Sequence, residues 1–354
     1  MLDHPRSIRQ GEELNAVALN AYLRGQIAGM KGDAHISQFP SGFSNLTYML
    51  GVETESGLQE FVLRRPPFGA NIKSAHDMER EYRIIAAVKP AYSLVPTPVV
   101  YCGDAGVIGA PFYVMERVQG VILRAKPPEG MELAPVVMRR LSEMLVDNLA
   151  TLHGVDIAQN SLHTLGKPDG YVQRQVEGWA QRYENARTDD LRSMEQAAAW
   201  LLANIPAEAT SPTLIHNDYK YDNVVFAPDL TSIVAVLDWE MATIGDPLMD
   251  LGTTLGYWAE AGDPMPLKAF GLTWMAGNLT RREMVERYAA ATGRDVSNIV
   301  FYYVFGLFKI GVIAQQIYAR YKKGFTKDER FAALIHVVQT AGELAVQAIA
   351  TGKI

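Results

Sequence analysis

Three polar residues have the types and spacing of a phosphoryl-transfer site. Asp218 and Asn223 lie in Leu-Ile-His216-Asn-Asp218-Tyr-Lys220-Tyr-Asp-Asn223-Val-Val-Phe, and Asp238 lies in Ile-Val-Ala-Val-Leu-Asp238-Trp-Glu240. One carboxylate, Asp218, can accept the proton of an attacking hydroxyl, while the Asn223 amide and the Asp238 carboxylate hold a metal on the phosphates. Lys220 stands two residues past Asp218, where its charge would offset developing negative charge; an exposed loop lysine is the other reading. His216 invites a metal-ligand reading. His4, His35, His76, His153, His163 and His336 form no ligand spacing with it, which favours a packed histidine bonding the loop backbone.

These residues need elements to hold them. Two short apolar runs, Leu214-Ile215 and Ile233–Leu237, end at the polar clusters and read as strands delivering them. Further upstream the spacing predicts a helix within residues 12–28, then strands at Ile36–Phe39, Leu46–Val52, Glu60–Arg64, Val99–Tyr101 and Pro111–Glu116. A helix from Ser74 to about Lys89 interrupts them and stops at Pro90. After Gly120 helical patterns dominate, at about 134–153, 170–186, 190–204, 246–258, 280–291, 297–321 and 326–350. Thr280-Arg-Arg-Glu283 and Thr326-Lys-Asp-Glu329 fit capping boxes. Asp246 with Pro247 fits an N-cap and first helical position. The plan is α+β and two-lobed: a small sheet lobe over residues 1–117 and a larger helical lobe over residues 118–354. Nucleotides commonly bind in the cleft such a plan creates.

The His-x-Asp-x4-Asn pattern, the later Asp238, and Gly245-Asp246-Pro247-x-x-Asp250-Leu together resemble the aminoglycoside phosphotransferase family, which has a protein-kinase-like fold. The resemblance runs from about Ile36 to Gly324. It is nearest to the kinase-like domain fused to some acyl-CoA dehydrogenases, through Leu-Asp-Trp-Glu-x-Ala-Thr-x-Gly-Asp-Pro and the stretch Phe301 to Gly324. It implies that Asp218 is the catalytic base, that Asn223 and Asp238 bind Mg²⁺, and that ATP or GTP is the phosphoryl donor. Ser41-Gly42-Phe-Ser44-Asn45-Leu-Thr47 is similar to the family's phosphate-covering segment, and its backbone amides and hydroxyls suit that task; an ordinary hairpin is the other reading. Arg64 occupies the place of the kinase lysine, with Arg65 on the opposite strand face as second choice. Its helical partner is Glu81, with Glu79 as the alternative. The backbone of Glu116 and Val118 would meet the adenine edge. Asp246 and Asp250 are read as scaffolding, Asp250 bracing the catalytic loop.

Composition narrows the partners. The 354 residues carry a net charge of -6, which argues against general nucleic-acid binding. Cys102 is the only cysteine, so no internal disulfide forms. The start has no apolar core of signal-peptide type, and the longest apolar stretch, Ile299–Ile313, is interrupted by Lys309. A cytoplasmic protein without a membrane partner is expected. The acceptor is a small hydroxylated molecule, for which the resemblance points to a hydroxyacyl-CoA or related metabolite. A polycationic aminoglycoside wants an acidic surface, whereas the helical lobe mixes Glu177, Glu184, Asp189, Asp190, Glu260 and Asp263 with Arg174, Arg182, Arg187 and Arg192. Tyr257, Trp258, Tyr302, Tyr303 and Phe305 are candidates for an apolar acceptor groove or for core. A nucleotide- or acyl-CoA-binding module without turnover is the alternative function, because Arg64 departs from the kinase lysine.

Overall fold

The computed structural model describes residues 4–40, 45–67, 77–207, 211–325 and 328–354. The chain forms two compact units, one of Met1–Val121 with Val225–Glu240, the other of Ile122–Val224 with Met241–Ile354.

The first unit opens with α1 (Ala16–Leu23), followed by β1 (Lys31–Gln38), β2 (Leu46–Thr54) and β3 (Gly57–Arg65). Then come α2 (Met78–Val88), β4 (Pro98–Cys102), the short α3 (Ala105–Ile108) and β5 (Phe112–Glu116). The five strands form one sheet in the order β1-β2-β3-β5-β4, antiparallel throughout. Strand alternation sorts β3: Phe61 and Leu63 enter the core with Leu19, Leu50 and Phe112, so Arg64 turns to the other face. Ser74, the expected helix start, lies outside the described residues. Within them α2 begins at Met78, where the Asp77 side chain accepts from the Arg80 N–H. β6 (Val121–Ile122) leads out of this unit.

The second unit contains α4 (Pro135–His153), α5 (Tyr171–Ala186), α6 (Arg192–Ala203) and β7 (Thr213–Ile215). The chain returns to the first unit through β8 (Val224–Phe226) and β9 (Ile233–Val236), then re-enters the second at β10 (Thr243–Gly245) and α7 (Pro247–Tyr257). The short α8 (Met265–Lys268), α9 (Arg281–Thr292), α10 (Ile299–Lys322) and α11 (Leu334–Thr351) complete it. The capping box at Thr280 and Glu283 is formed, and Thr326 of the second expected box lies outside the described residues. Before α11 the chain takes a 3₁₀ turn, Glu329–Ala333, with Asp328 capping the Arg330 N–H.

α10 is long and apolar enough to cross a bilayer, yet 78% of its most apolar window is buried within the fold. A helix apolar all round is what the centre of a helical unit requires. α7 crosses α10 at backbone contact. A Cβ on Gly252 would strike the Tyr302 carbonyl, and one on Gly306 would strike the Gly252 carbonyl. That crossing fixes two helices whose side chains, Asp250 on α7 and Lys309 on α10, bond the backbone of residues 216 and 217.

Candidate active-site residues

In the first unit the site residues gather around Arg64. Its Nη1 donates to Glu81 Oε1 at 2.7 Å, and Nη2 donates to Asp238 Oδ1 at 3.1 Å. β3 supplies Arg64, α2 supplies Glu81, and the end of β9 supplies Asp238. Loss of water works against the Arg64 charge, but Glu81, Tyr113 and Asp238 outweigh it and hold the guanidinium protonated. Burial pushes the Glu81 carboxyl up, and the Arg64 charge opposes that shift. Arg65 is committed elsewhere, donating to the Pro66 and Ile108 carbonyls. Of the two carboxylates considered on α2, Glu81 is the one at hydrogen-bond distance from Arg64.

Asp238 has φ 66°, a left-handed conformation uncommon outside glycine. Such conformations cost about 1–3 kcal/mol and persist where surrounding structure enforces them, often at functional sites. Two neighbours help to enforce the turn. The Asn45 amide donates to Glu240 Oε2 at 3.1 Å, and Arg80 donates to the Glu240 carbonyl. Ser41, Gly42 and Ser44 lie outside the described residues. Glu116 ends β5 with its side chain exposed, and its N–H donates to the Thr97 carbonyl at 2.9 Å. Its own carbonyl is therefore the group that could meet a base edge. Val118 follows just outside β5, half-buried.

In the second unit β7 delivers the loop His216–Asn223. Lys220 Nζ donates to both carboxylate oxygens of Asp218, at 2.7 and 2.8 Å. Asn223 Nδ2 donates to the Asp218 carbonyl and to Asp218 Oδ2, each at 2.8 Å. With its amine spent there, Asn223 keeps the amide oxygen as an acceptor, the donor type a hard cation takes. The Asp238 carboxylate is of the same type. Each side chain, taken by itself, is by chemistry a donor that Mg²⁺ would accept. Loss of water opposes the Lys220 charge, while the Tyr257 oxygen and the Asp218 carboxylate outweigh it and raise the ammonium above its ordinary value. The same ammonium lies 4.5 Å from the Tyr257 ring centroid.

The loop is pinned from below. Asp250, on α7, is fully buried and accepts from the His216 N–H at 2.6 Å and the Asn217 N–H at 2.7 Å. Its Oδ2 also meets His153 Nε2 at 3.1 Å. Burial works against the Asp250 charge, but His153 and the backbone donors outweigh it and hold its carboxyl below the ordinary range. His216 is buried, and its Nδ1 accepts from the Asp218 N–H at 3.3 Å. Asp246 caps α7 through the Leu248 N–H at 2.8 Å and accepts from the Tyr302 hydroxyl. Of the aromatic candidates, Trp258, Tyr302, Tyr303 and Phe305 are buried core, whereas Tyr257 is half-buried beside Lys220.

The sequence patterns overlooked Lys309 as a loop contact. It is buried on α10, and its Nζ donates to the Asn217 carbonyl at 2.7 Å. The available signal was a lone charge in an otherwise apolar helical run.

A model of the phosphotransferase enzyme family matches residues 35–284. The chain belongs to this family. Human acyl-CoA dehydrogenase family member 11 is 34% identical over 342 residues, 95% of this chain and 43% of that protein. A probable acyl-CoA dehydrogenase, IBR3, of Arabidopsis thaliana is 31% identical over 304 residues, 82% of this chain and 36% of that protein. This phosphotransferase-family chain thus spans less than half the length of the curated relatives it matches. Among solved structures, a putative aminoglycoside phosphotransferase from Ralstonia eutropha superposes with a TM-score of 0.77 at 30% identity, covering 95% of this chain and 99% of the other. A Plasmodium vivax ethanolamine kinase superposes with a TM-score of 0.62 at 13% identity, covering 94% and 87%, a likeness of fold alone. The fold is the α+β, two-lobed, protein-kinase-like one expected from the motifs.

Proposed function

We propose that this phosphotransferase-family chain transfers the terminal phosphoryl group of ATP or GTP to a hydroxyl of a small molecule, with Mg²⁺. The observation that carries the reading is the Asp218 carboxylate. It is partly exposed on a loop whose backbone is held by buried Asp250, with Asn223 and Lys220 bonded to it. In the reaction the acceptor oxygen bonds to the terminal phosphorus as the bond to the bridging oxygen breaks. The nucleoside diphosphate leaves, and the hydroxyl proton passes to Asp218. The Asn223 amide oxygen and the Asp238 carboxylate would hold Mg²⁺, which would supply charge neutralisation at the phosphate oxygens. Arg64, anchored by Glu81, positions the phosphates; Ser41, Gly42, Ser44 and Asn45 cover them; the Glu116 carbonyl and Val118 N–H meet the base.

For the acceptor we favour a hydroxyacyl-CoA or similar hydroxylated metabolite. The support is the similarity to proteins named as acyl-CoA dehydrogenases over nearly the whole chain. An aminoglycoside acceptor is less favoured, because Arg174, Arg182 and Arg187 on and just after α5 interrupt its acidic residues.

A coupled nucleotide-consumption assay tests this, across hydroxyacyl-CoA esters, amino alcohols, sugars and aminoglycosides, with Asp218→Asn as control. Consumption that needs one acceptor and Asp218 is the expected outcome. A second reading, a nucleotide- or acyl-CoA-binding module without turnover, draws on one observation: Arg64 pairs directly with Asp238, the carboxylate assigned to the metal. Tight nucleotide binding with no turnover on any acceptor would favour it. Absence of nucleotide binding would overturn both.

A further inference from the structure

We propose that Lys309 is a positioning residue that sets the peptide plane carrying Asp218. The inference rests on the phosphotransferase reading for its kinetic consequence, and on geometry alone for its structural one.

Asn217 immediately precedes the proposed base and has φ 66°. Each of its polar atoms is engaged. Its N–H donates to Asp250 Oδ1 at 2.7 Å and its Nδ2 to the Met241 carbonyl at 3.0 Å, while its Oδ1 accepts from the Tyr171 hydroxyl at 3.1 Å. The remaining group is the carbonyl, which belongs to the Asn217–Asp218 peptide. Lys309 Nζ takes it at 2.7 Å. Asp250 therefore fixes the peptide plane before Asn217, and Lys309 fixes the plane after it. A left-handed residue other than glycine persists where its surroundings enforce it, and the second clamp acts on the peptide from which the Asp218 side chain begins.

The buried ammonium is an expensive way to make one bond. Lys309 is 3% exposed, and the Trp179 ring centroid lies 5.6 Å from its ammonium. The charges that face it are Asp218 and Asp250, which favour its charge, and Lys220 and Arg182, which oppose it. A neutral donor on a purely structural helix would satisfy a carbonyl without this desolvation.

The test compares Lys309→Met with Lys309→Arg, Lys309→Gln and, as a control on the same helix, Gln315→Met. Gln315 is likewise buried and donates to the Ala186 carbonyl and Thr188, away from the loop. In Lys309→Met, amide hydrogen exchange across residues 216–223 should rise about tenfold or more, as local opening becomes easier. Turnover should fall about 10- to 100-fold, as expected for a displaced catalytic group, with nucleotide Kd unchanged. Lys309→Arg should restore both in part, and Gln315→Met should change neither. If Lys309→Met does not fold, Lys309→Gln is read by the same two measures. Loop exchange and turnover equal to wild type, or changes shared with Gln315→Met, overturn the proposal. A wild-type protein without turnover on any acceptor sinks the phosphotransferase reading, whereas the exchange comparison still decides Lys309.

Discussion

Lys220 holds both carboxylate oxygens of Asp218, at 2.7 and 2.8 Å, from only two residues along the chain. The pair is neither surface nor core: the side chains keep 24% and 18% of their exposure. An exposed pair of this kind would contribute little. Here Tyr257 covers the ammonium, and the pair sits where a substrate hydroxyl has to reach Asp218. On the proposed reading Asp218 is the base, and Lys220, bonded to both of its oxygens, is the cation nearest the charge that would develop there.

It follows that Lys220→Met should lower turnover by about 100- to 1000-fold, the usual loss when one charge-stabilising donor is removed. Nucleotide binding should change little. Steady-state kinetics with a separately measured nucleotide Kd checks this, and a loss confined to nucleotide affinity would reassign Lys220 to the donor side.

Arg64 and Glu81 form a buried ion pair, with side chains 11% and 2% exposed. Removing one partner of such a pair strands the other, at a cost of about 3–5 kcal/mol. Glu81→Ala should show that loss in denaturant unfolding and should weaken nucleotide binding as well. Glu81→Gln, which keeps an acceptor oxygen beside Arg64, should be milder on both measures. If Glu81→Ala left stability unchanged, the pair would be decorative.

The crossing of α7 and α10 gives a third expectation. Neither Gly252 nor Gly306 leaves room for a methyl group against the opposing backbone. Gly306→Ala should therefore destabilise by at least about 1–3 kcal/mol through overpacking. Gly262→Ala is the control, since a Cβ there meets nothing within 4 Å. Thermal unfolding of both variants, with equal loss in the two, would remove the crossing as the cause.

Much of this was legible in the sequence because the signals are local. Short apolar runs ending in acidic residues mark β7 before His216 and β9 before Asp238, and Asp246-Pro247 marks the start of α7. The Thr280 capping box is equally local. What escaped depends on distant parts of the chain. Nothing in the periodicity of residues 299–322 says that Lys309 reaches a carbonyl 92 positions earlier. The glycines at 252, 256 and 306 do carry a signal, since a helix interior disfavours glycine unless backbones must approach. The same limit applies to the aromatic residues. Trp258 and Tyr302 became core because their helices turn inward, a choice that spacing left open.

Lys309 also makes stability depend on pH. Burial pushes its ammonium down to about 8 from an ordinary value of 10.5, with Asp218 and Asp250 opposing the shift. Between those values the unfolded chain keeps the proton and the folded chain has released it. The unfolded state then binds more protons, so stability rises with pH across this window. Below about pH 8 the group is charged in both states, and the full cost of burying that charge is present. The contribution relieved by about pH 10.5 is on the order of 3 kcal/mol, at 1.36 kcal/mol per unit. Other groups titrate in the same range, so the measurement is a difference. Unfolding free energies of wild type and Lys309→Met should be compared from pH 7 to pH 10.5. The gap should move in favour of wild type as pH rises through about 8. A gap that stays constant would mean that the ammonium keeps its proton in the fold, and that Asp218 and Asp250 stabilise the charge more strongly than burial opposes it.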